Sequence, residues 1–380
     1  MNLKSKLPNT GISIFSKMTA LANAHGAINL AQGFPNFPSS KKLIDLVHHY
    51  MQQGMNQYAP MPGVIQLRER IAEKYTDIYN AHYHPETEIT ITSGATQAIY
   101  TAIAALVHEG DEVILFEPAY DSYVPAIKLH GAIPVAVNLT PPAFSIDWDI
   151  VKKSISSKTK MILLNTPHNP TGSVLSKKDL QQLEKIVATT DILVLSDEVY
   201  EHIIFDNKNH ESILLYPNLR ERSLVIYSFG KTYHNTGWKL GYVLAPQHLM
   251  KEFRSVHQFL VFSANTPMQY ALADFMQDKN EYLSVQAFYE QKRNLFLHLI
   301  SGSRFTYTPA KGTYFQLLDY GGISDINDIA FADELTIQHK VAGIPLSPFY
   351  KTPAEHTLLR FCFAKTDDTL HQAAEILCKI

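Results

Sequence analysis

From about residue 85 to residue 229 the chain alternates short apolar runs with stretches of helical periodicity, and this alternation constrains the fold more than any other feature. Residues 89–92, 112–116, 161–165, 192–196 and 224–229 have strand length and are largely apolar, as strands covered on both faces must be. Residues 94–107 and 177–187 have the periodicity of helices. Strands separated by helices need crossover connections, so the pattern predicts an α/β fold: a mainly parallel sheet flanked by helices. Ligands of such sheets bind beyond the carboxyl ends of the strands. Here those ends read Ser93-Gly94-Ala95-Thr96, Tyr120, Asn169, Asp197-Glu198-Val199-Tyr200 and Ser228-Phe229-Gly230-Lys231.

After about Lys279 the pattern changes to a long polar helix and then to short strands at 312–315 and 358–363. A chain of 380 residues is too long for one simple core. The expected division is a large domain over 40–278 and a smaller α+β domain made of 1–39 together with 279–380. No repeat or Gly/Ser-rich linker intervenes, so the two should abut.

Lys and Arg number 33 against 36 Asp and Glu, a net charge of -3, and no stretch gathers the cations into a stripe. Nucleic acid is therefore not an expected partner. The two cysteines, Cys362 and Cys378, lack metal-ligand spacing, which predicts no zinc site, no disulfide framework and a reducing compartment. Pro8, Asn9 and Thr10 follow Lys4 and Lys6 where a leader would be apolar, and no later stretch is apolar for the length of a membrane span. The expectation is a cytoplasmic protein without a membrane partner.

Several common chemistries are excluded by spacing. None of the 17 glycines forms a dinucleotide fingerprint. Gly230-Lys231-Thr232 resembles the end of a P-loop, but Val225 stands where its first glycine belongs. The one glycine pair with hydrolase-elbow spacing, Gly237 and Gly241, encloses Lys239 rather than serine, and the 17 histidines form no HExxH.

Other residues point toward a chemistry. Lys231 stands two residues past an apolar run, where partial desolvation would lower its pKa and free an amine for Schiff-base formation; the alternative is a solvated loop lysine. Asp197 ends a buried run, where a carboxylate either binds a metal or meets a cation such as a protonated ring nitrogen. Ser93-Gly94-Ala95-Thr96 opens a helix directly after a strand, which makes either a phosphate seat or a plain N-cap by Ser93.

Together, and in this order, Asn169-Pro170-Thr171-Gly172, Ser196-Asp197-Glu198-Val199-Tyr200 and Ser228-Phe229-Gly230-Lys231 resemble class I aminotransferases of fold type I, over essentially the whole chain. Upstream, Gln32-Gly33-Phe34-Pro35 and Asn56-Gln57-Tyr58-Ala59-Pro60 resemble the branch holding the methionine, glutamine and kynurenine aminotransferases. The resemblance implies pyridoxal 5'-phosphate as cofactor, amino acids and 2-oxo acids as substrates, and a homodimer with shared active sites. It implies that Lys231 carries the cofactor and then the proton, that Asp197 faces the pyridine nitrogen, and that Asn169 and Tyr200 face the phenolic oxygen. Tyr120 would stack on the ring; Gly94, Ala95, Thr96, Ser228 and Lys239 would hold the phosphate, with Tyr58 reaching it from the other subunit. Arg360, in an otherwise apolar run, matches the clamp on the substrate carboxylate, with Gly33 and Asn169 beside it. Ile14, Phe15, Tyr120 and the second subunit's Phe262 would surround the substrate side chain.

Taken singly, each has a plainer reading: Tyr120 and Phe262 as core aromatics, Lys239 as a surface charge, Arg360 as partner of an internal carboxylate. Three rival functions also remain at this stage: a β-lyase or decarboxylase on the same fold, a transcription regulator using the fold to bind an effector, and a silent binding protein.

Overall fold

The computed structural model describes residues 3–8, 10–352 and 356–380; residues 1, 2, 9 and 353–355, all within the expected small domain, lie outside that description. Seven strands form the central sheet: β1 (Ile89–Thr92), β2 (Glu112–Glu117), β3 (Ile133–Asn138), β4 (Thr159–Asn165), β5 (Leu193–Asp197), β6 (Ser223–Ser228) and β7 (Gly241–Leu244). Their order across the sheet is β1-β7-β6-β5-β4-β2-β3. All neighbours run parallel except β7, which is antiparallel to both β1 and β6. The sequence pattern passes over two of these strands. β3 is an edge strand that starts exposed and is mostly half-buried, so it lacks a continuous apolar signature, and β7 is four residues long and begins at a glycine.

Each face of the sheet has its own core. On β5, Val194 belongs to the core that holds Ile71, Tyr75 and Val225, while Leu195 belongs to the one that holds Ile99, Ile103 and Phe253. Alternation along the pleat fixes the register, because a one-residue slip would exchange the two sets. The flanking helices are laid down by local signals. Lys177–Val187 opens with a capping box between Ser176 and Asp179 and buries Leu180, Leu183, Ile186 and Val187 along one stripe.

Beyond the central sheet, β8 (Phe315–Asp319), β9 (Ile344–Pro345) and β10 (Leu358–Cys362) form an antiparallel sheet in the order β9-β10-β8. The strand expected at 312–315 begins only at Phe315: Thr313 has φ 63, outside strand geometry, and Gly312 lies so close to Pro167 that a Cβ there would meet it at 2.7 Å. The N-terminal helix Ile14–His25 packs on Asp328–Ile337, and Ile28–Asn29 pairs in parallel with Val341–Ala342. Among the described residues no helix is long and apolar enough to cross a membrane, and no cluster of His, Cys, Asp and Glu could hold a metal ion.

Candidate active site

β6 ends at Ser228 and passes into the four-residue helix Phe229–Thr232, which delivers Lys231 to the carboxyl end of the sheet. The residue borders a cavity and is half-buried, with protein around the rest of its amine. Its Nζ donates to the Tyr314 hydroxyl at 2.9 Å and lies 3.5 Å from the Gly33 carbonyl oxygen. Burial is the main reason its pKa falls to about 8; the nearby cations Lys239 and Arg360 push the same way, and Cys362 and Asp197 push back. At neutral pH an appreciable fraction of this amine is unprotonated, which nucleophilic and acid–base work both require.

Asp197 closes β5 and is almost fully buried. Burial raises its pKa to about 6, although the Tyr123 hydroxyl, donating at 2.5 Å, and the Val199 N–H at 3.4 Å favour the carboxylate. It is therefore mostly ionised at pH 7, and a cation placed beside it in the cavity would lower that value further.

At the end of β1 the chain turns through Gly94, φ 85, into the helix Ala95–Leu106. No side chain caps this helix: the Ser93 N–H instead donates to Gln97 Oε1 at 2.9 Å, which rules out the plain N-cap by Ser93. The first amides of the helix thus face the cavity with the positive end of the helix dipole. Lys239, exposed at the rim with φ 55, extends over this turn, its Nζ 3.4 Å from where a Cβ on Gly94 would lie. Gly241 lets β7 approach, since a Cβ there would meet the Ala95 nitrogen at 3.0 Å.

Arg360, in the middle of β10, is 1 % exposed, so its charge must be met inside the protein. Nη1 donates to Asn169 Oδ1 at 2.7 Å and Nη2 to the Ala31 carbonyl at 3.0 Å, while Nε has no partner among the described residues. Neither partner is a carboxylate. The guanidinium stacks 3.8 Å from the Phe315 ring centroid and lies 5.1 Å from that of Phe15. Burial lowers its pKa to about 10, which leaves it a full cation at neutral pH.

One cavity of about 310 Å³ gathers these groups, within the size range of small-molecule sites. Of the residues expected from sequence, its wall includes Phe15, Gly33, Gly94, Ala95, Thr96, Tyr120, Asn169, Asp197, Tyr200, Ser228, Lys231, Lys239 and Arg360. Ile14 is not in the wall; it packs on the neighbouring core, because consecutive residues of a helix point about 100° apart and Phe15 takes the cavity side. Tyr58 and Phe262 also lie outside it, together on the surface in an edge-to-face contact at 5.5 Å. The wall further contains Gln32, Tyr123, Asn165, Thr236 and Phe315, which the sequence reading does not assign to the site. Asn165 was the most accessible of these: it is the last residue of β4, and its side chain ties the Asn169 N–H to the Asp197 carbonyl, each at 2.9 Å.

The family profile for "Aminotransferase class I and II" matches residues 25–377. This chain belongs to that family. Methionine aminotransferase of Escherichia coli K12 is 49% identical over 375 residues, covering 98% of this chain and 97% of that one. The solved structure of E. coli YbdL, described as identifying a methionine aminotransferase function, superposes with a TM-score of 0.98 at 48% identity, covering 100% of both chains. A kynurenine–oxoglutarate transaminase of Dictyostelium discoideum is 34% identical over 412 residues, covering 97% of this chain and 94% of that one. The protein is thus an aminotransferase of fold type I, with the mostly parallel, helix-flanked sheet expected from its sequence.

Aminotransferases of this family work with pyridoxal phosphate, and the donor set here fits that group. An amine with lowered pKa can condense with its aldehyde, a buried carboxylate can meet its ring nitrogen, and uncapped helix amides beside Lys239 can receive its phosphate.

Proposed function

We propose that the protein moves the α-amino group of methionine, an aromatic amino acid, glutamine or kynurenine to a 2-oxo acid, as a homodimer in the cytoplasm. The observation that carries the reading is Arg360: a buried cation without a carboxylate partner among the described residues, in the same cavity as a lysine of lowered pKa.

Bound pyridoxal phosphate would supply an aldehyde that condenses with amines and a ring that accepts electrons from the substrate Cα. Lys231 would hold the cofactor and would take up or deliver the proton at the substrate Cα. Asp197, steadied by Tyr123, would face the ring nitrogen and favour its protonated form; Asn169 and Tyr200 would face the phenolic oxygen, and Tyr120 would cover the ring. Gly94, Ala95, Thr96, Ser228 and Lys239 would hold the phosphate, with Tyr58 added from the second subunit. Arg360 clamps the α-carboxylate. Asn169 Oδ1 is turned to Arg360, which leaves the amide N–H groups of that side chain for the ligand.

The side-chain pocket is aromatic, with Phe15 and Tyr120 at 6.5 Å and Phe262 added by the second subunit. A distal carboxylate buried there unpaired would cost several kcal/mol, so aspartate is expected to be a poor donor. Support for the dimer comes from exposed aromatic surface around that residue: Tyr58 is 82%, Phe259 86% and Phe262 44% exposed. The two free thiols fit a reducing compartment.

Borohydride reduction of the yellow holoenzyme followed by peptide mapping should place the cofactor on Lys231, and Lys231→Ala should lose both the link and at least about 10⁴-fold in turnover. A cofactor trapped on another peptide refutes the assignment. In a donor panel, methionine and phenylalanine should exceed aspartate in kcat/KM; the reverse order refutes the pocket, and pyruvate with a released thiol from cysteine conjugates would indicate β-elimination instead.

A further inference from the structure

Tyr314 is fully buried, outside the central sheet, yet its hydroxyl is the nearest partner of the Lys231 amine, at 2.9 Å. The same hydroxyl donates its single proton to the Gly33 carbonyl oxygen at 2.6 Å. With that proton committed, it can only accept from Lys231. Burial also holds its pKa well above the ordinary phenol value, so it stays neutral throughout the working pH range.

Both ends of this arrangement are fixed. The Tyr314 ring packs edge-to-face on Tyr200 at 5.2 Å and on Phe315 at 4.9 Å. Gly33 lies so close to Phe315 that a Cβ would meet that ring at 2.6 Å. The carbonyls on either side of Gly33 are both held by the buried Lys365, whose Nζ lies 3.4 Å from Gln32 O and 2.9 Å from Phe34 O. The Gly33 carbonyl is thus a rigid anchor, and Tyr314 extends it toward the lysine.

We propose that Tyr314 is a positioning residue that seats the free Lys231 amine, holding it at one point of the cavity wall whenever it is not bonded to the cofactor. A lysine ends a flexible four-carbon stem, and proton transfer demands a defined donor–acceptor geometry, so an amine released from the cofactor needs such a seat. The inference rests on the proposed role of Lys231, and its test separates the two.

The amine is faced by Tyr200, Tyr314, Cys362, Lys239, Arg360 and Asp197. Among these Tyr314 can be altered without changing charge. In full-length protein stripped of cofactor, reductive methylation of Lys231, followed by mass spectrometry against pH, gives the midpoint of its titration. Tyr314→Phe removes an acceptor that favours the ammonium form, so the midpoint should fall by about one pH unit. In the loaded enzyme kcat should fall about tenfold with the donor KM within about twofold, because Arg360 is untouched. Tyr289→Phe is the control: Tyr289 packs on Tyr314 at 5.6 Å, but its hydroxyl has no partner among the described residues. An unmoved midpoint in Tyr314→Phe, an unchanged kcat, or an equal shift in Tyr289→Phe overturns the proposal. A cofactor found on a residue other than Lys231 overturns the underlying role, whatever the titration shows.

Discussion

Asp197 and Glu198 are adjacent carboxylates on the same strand end, both buried, and their surroundings are opposite in kind. Glu198 receives Ser196 Oγ at 2.9 Å, the Ile213 N–H at 3.1 Å, Ser212 Oγ at 2.6 Å and the Tyr227 hydroxyl at 3.0 Å, with His210 Nε2 also at 3.0 Å. Asp197 has one strong donor, Tyr123, and otherwise opens on the cavity. The carboxylate with all its acceptor capacity taken ties the sheet to the segment 210–213. The one with capacity left over faces the place where a ligand's cation would complete it. Arg360 and Lys231 follow Asp197: among the described residues, neither of these buried or half-buried cations has a carboxylate as hydrogen-bond partner. Polar groups that are satisfied build the frame, and those left short mark the chemistry.

The largest expected effect comes from making the same amide change on each side of this contrast. Asp197→Asn should lower kcat/KM by about 10³-fold or more, since it removes the charge proposed to face the ring nitrogen, while the urea midpoint changes little. Glu198→Gln should do the reverse, lowering unfolding free energy by about 2–4 kcal/mol and leaving kcat/KM of the folded fraction within about threefold. Steady-state kinetics and urea unfolding on both variants check this. If Glu198→Gln lost activity and kept its stability, the division between frame and chemistry would fail.

A second pair sharpens the frame side alone. Lys74 and Glu201 form an ion pair that is 4%/2% exposed, with the Tyr75 hydroxyl donating to Glu201 Oε1 at 2.9 Å. Glu201→Gln leaves a buried ammonium without its counter-charge and should cost about 3 kcal/mol in urea unfolding, whereas replacing both partners by Met and Leu should come within about 1 kcal/mol of the parent. A double variant as unstable as the single one would mean that the pair contributes through its tyrosine neighbours rather than through charge balance.

The contrast also explains what the sequence could reveal. Lys231, Asp197 and Arg360 were visible because each interrupts or terminates an apolar run, where a charge needs a reason. Tyr123 and Tyr314 were not, because tyrosine is an ordinary core residue and the partner of its hydroxyl is set by contacts 74 to 281 residues away in the chain. The parallel strands were legible from their continuous apolar runs, whereas β3, half-exposed at an edge, and β7, short and antiparallel, carried no such signal. Ile14 and Phe15 looked equivalent in the sequence, and only the direction of the helix separates them. Tyr58 and Phe262 were singled out by resemblance, and one chain leaves both on its surface.

The smallest expected effect concerns how finely neighbouring charges tune the site. Methylation needs the unprotonated amine, so in cofactor-free protein the reaction of Lys231 should be slow below its pKa, half-maximal near pH 8 and flat above it, whereas a solvated lysine keeps accelerating toward its ordinary value of about 10.4. Burial is the main cause of that depression, and Lys239 and Asp197 act on the amine through their charges. Lys239→Met and Asp197→Asn should therefore each move the midpoint by only a few tenths of a unit, in opposite directions. Removing the Lys239 cation relieves repulsion of the ammonium and raises the midpoint. Removing the Asp197 charge takes away attraction and lowers it. If either single substitution moved the midpoint by two units or more, charge rather than desolvation would govern this lysine, and the site would owe its reactivity to the pairing that the rest of the molecule uses only for its frame.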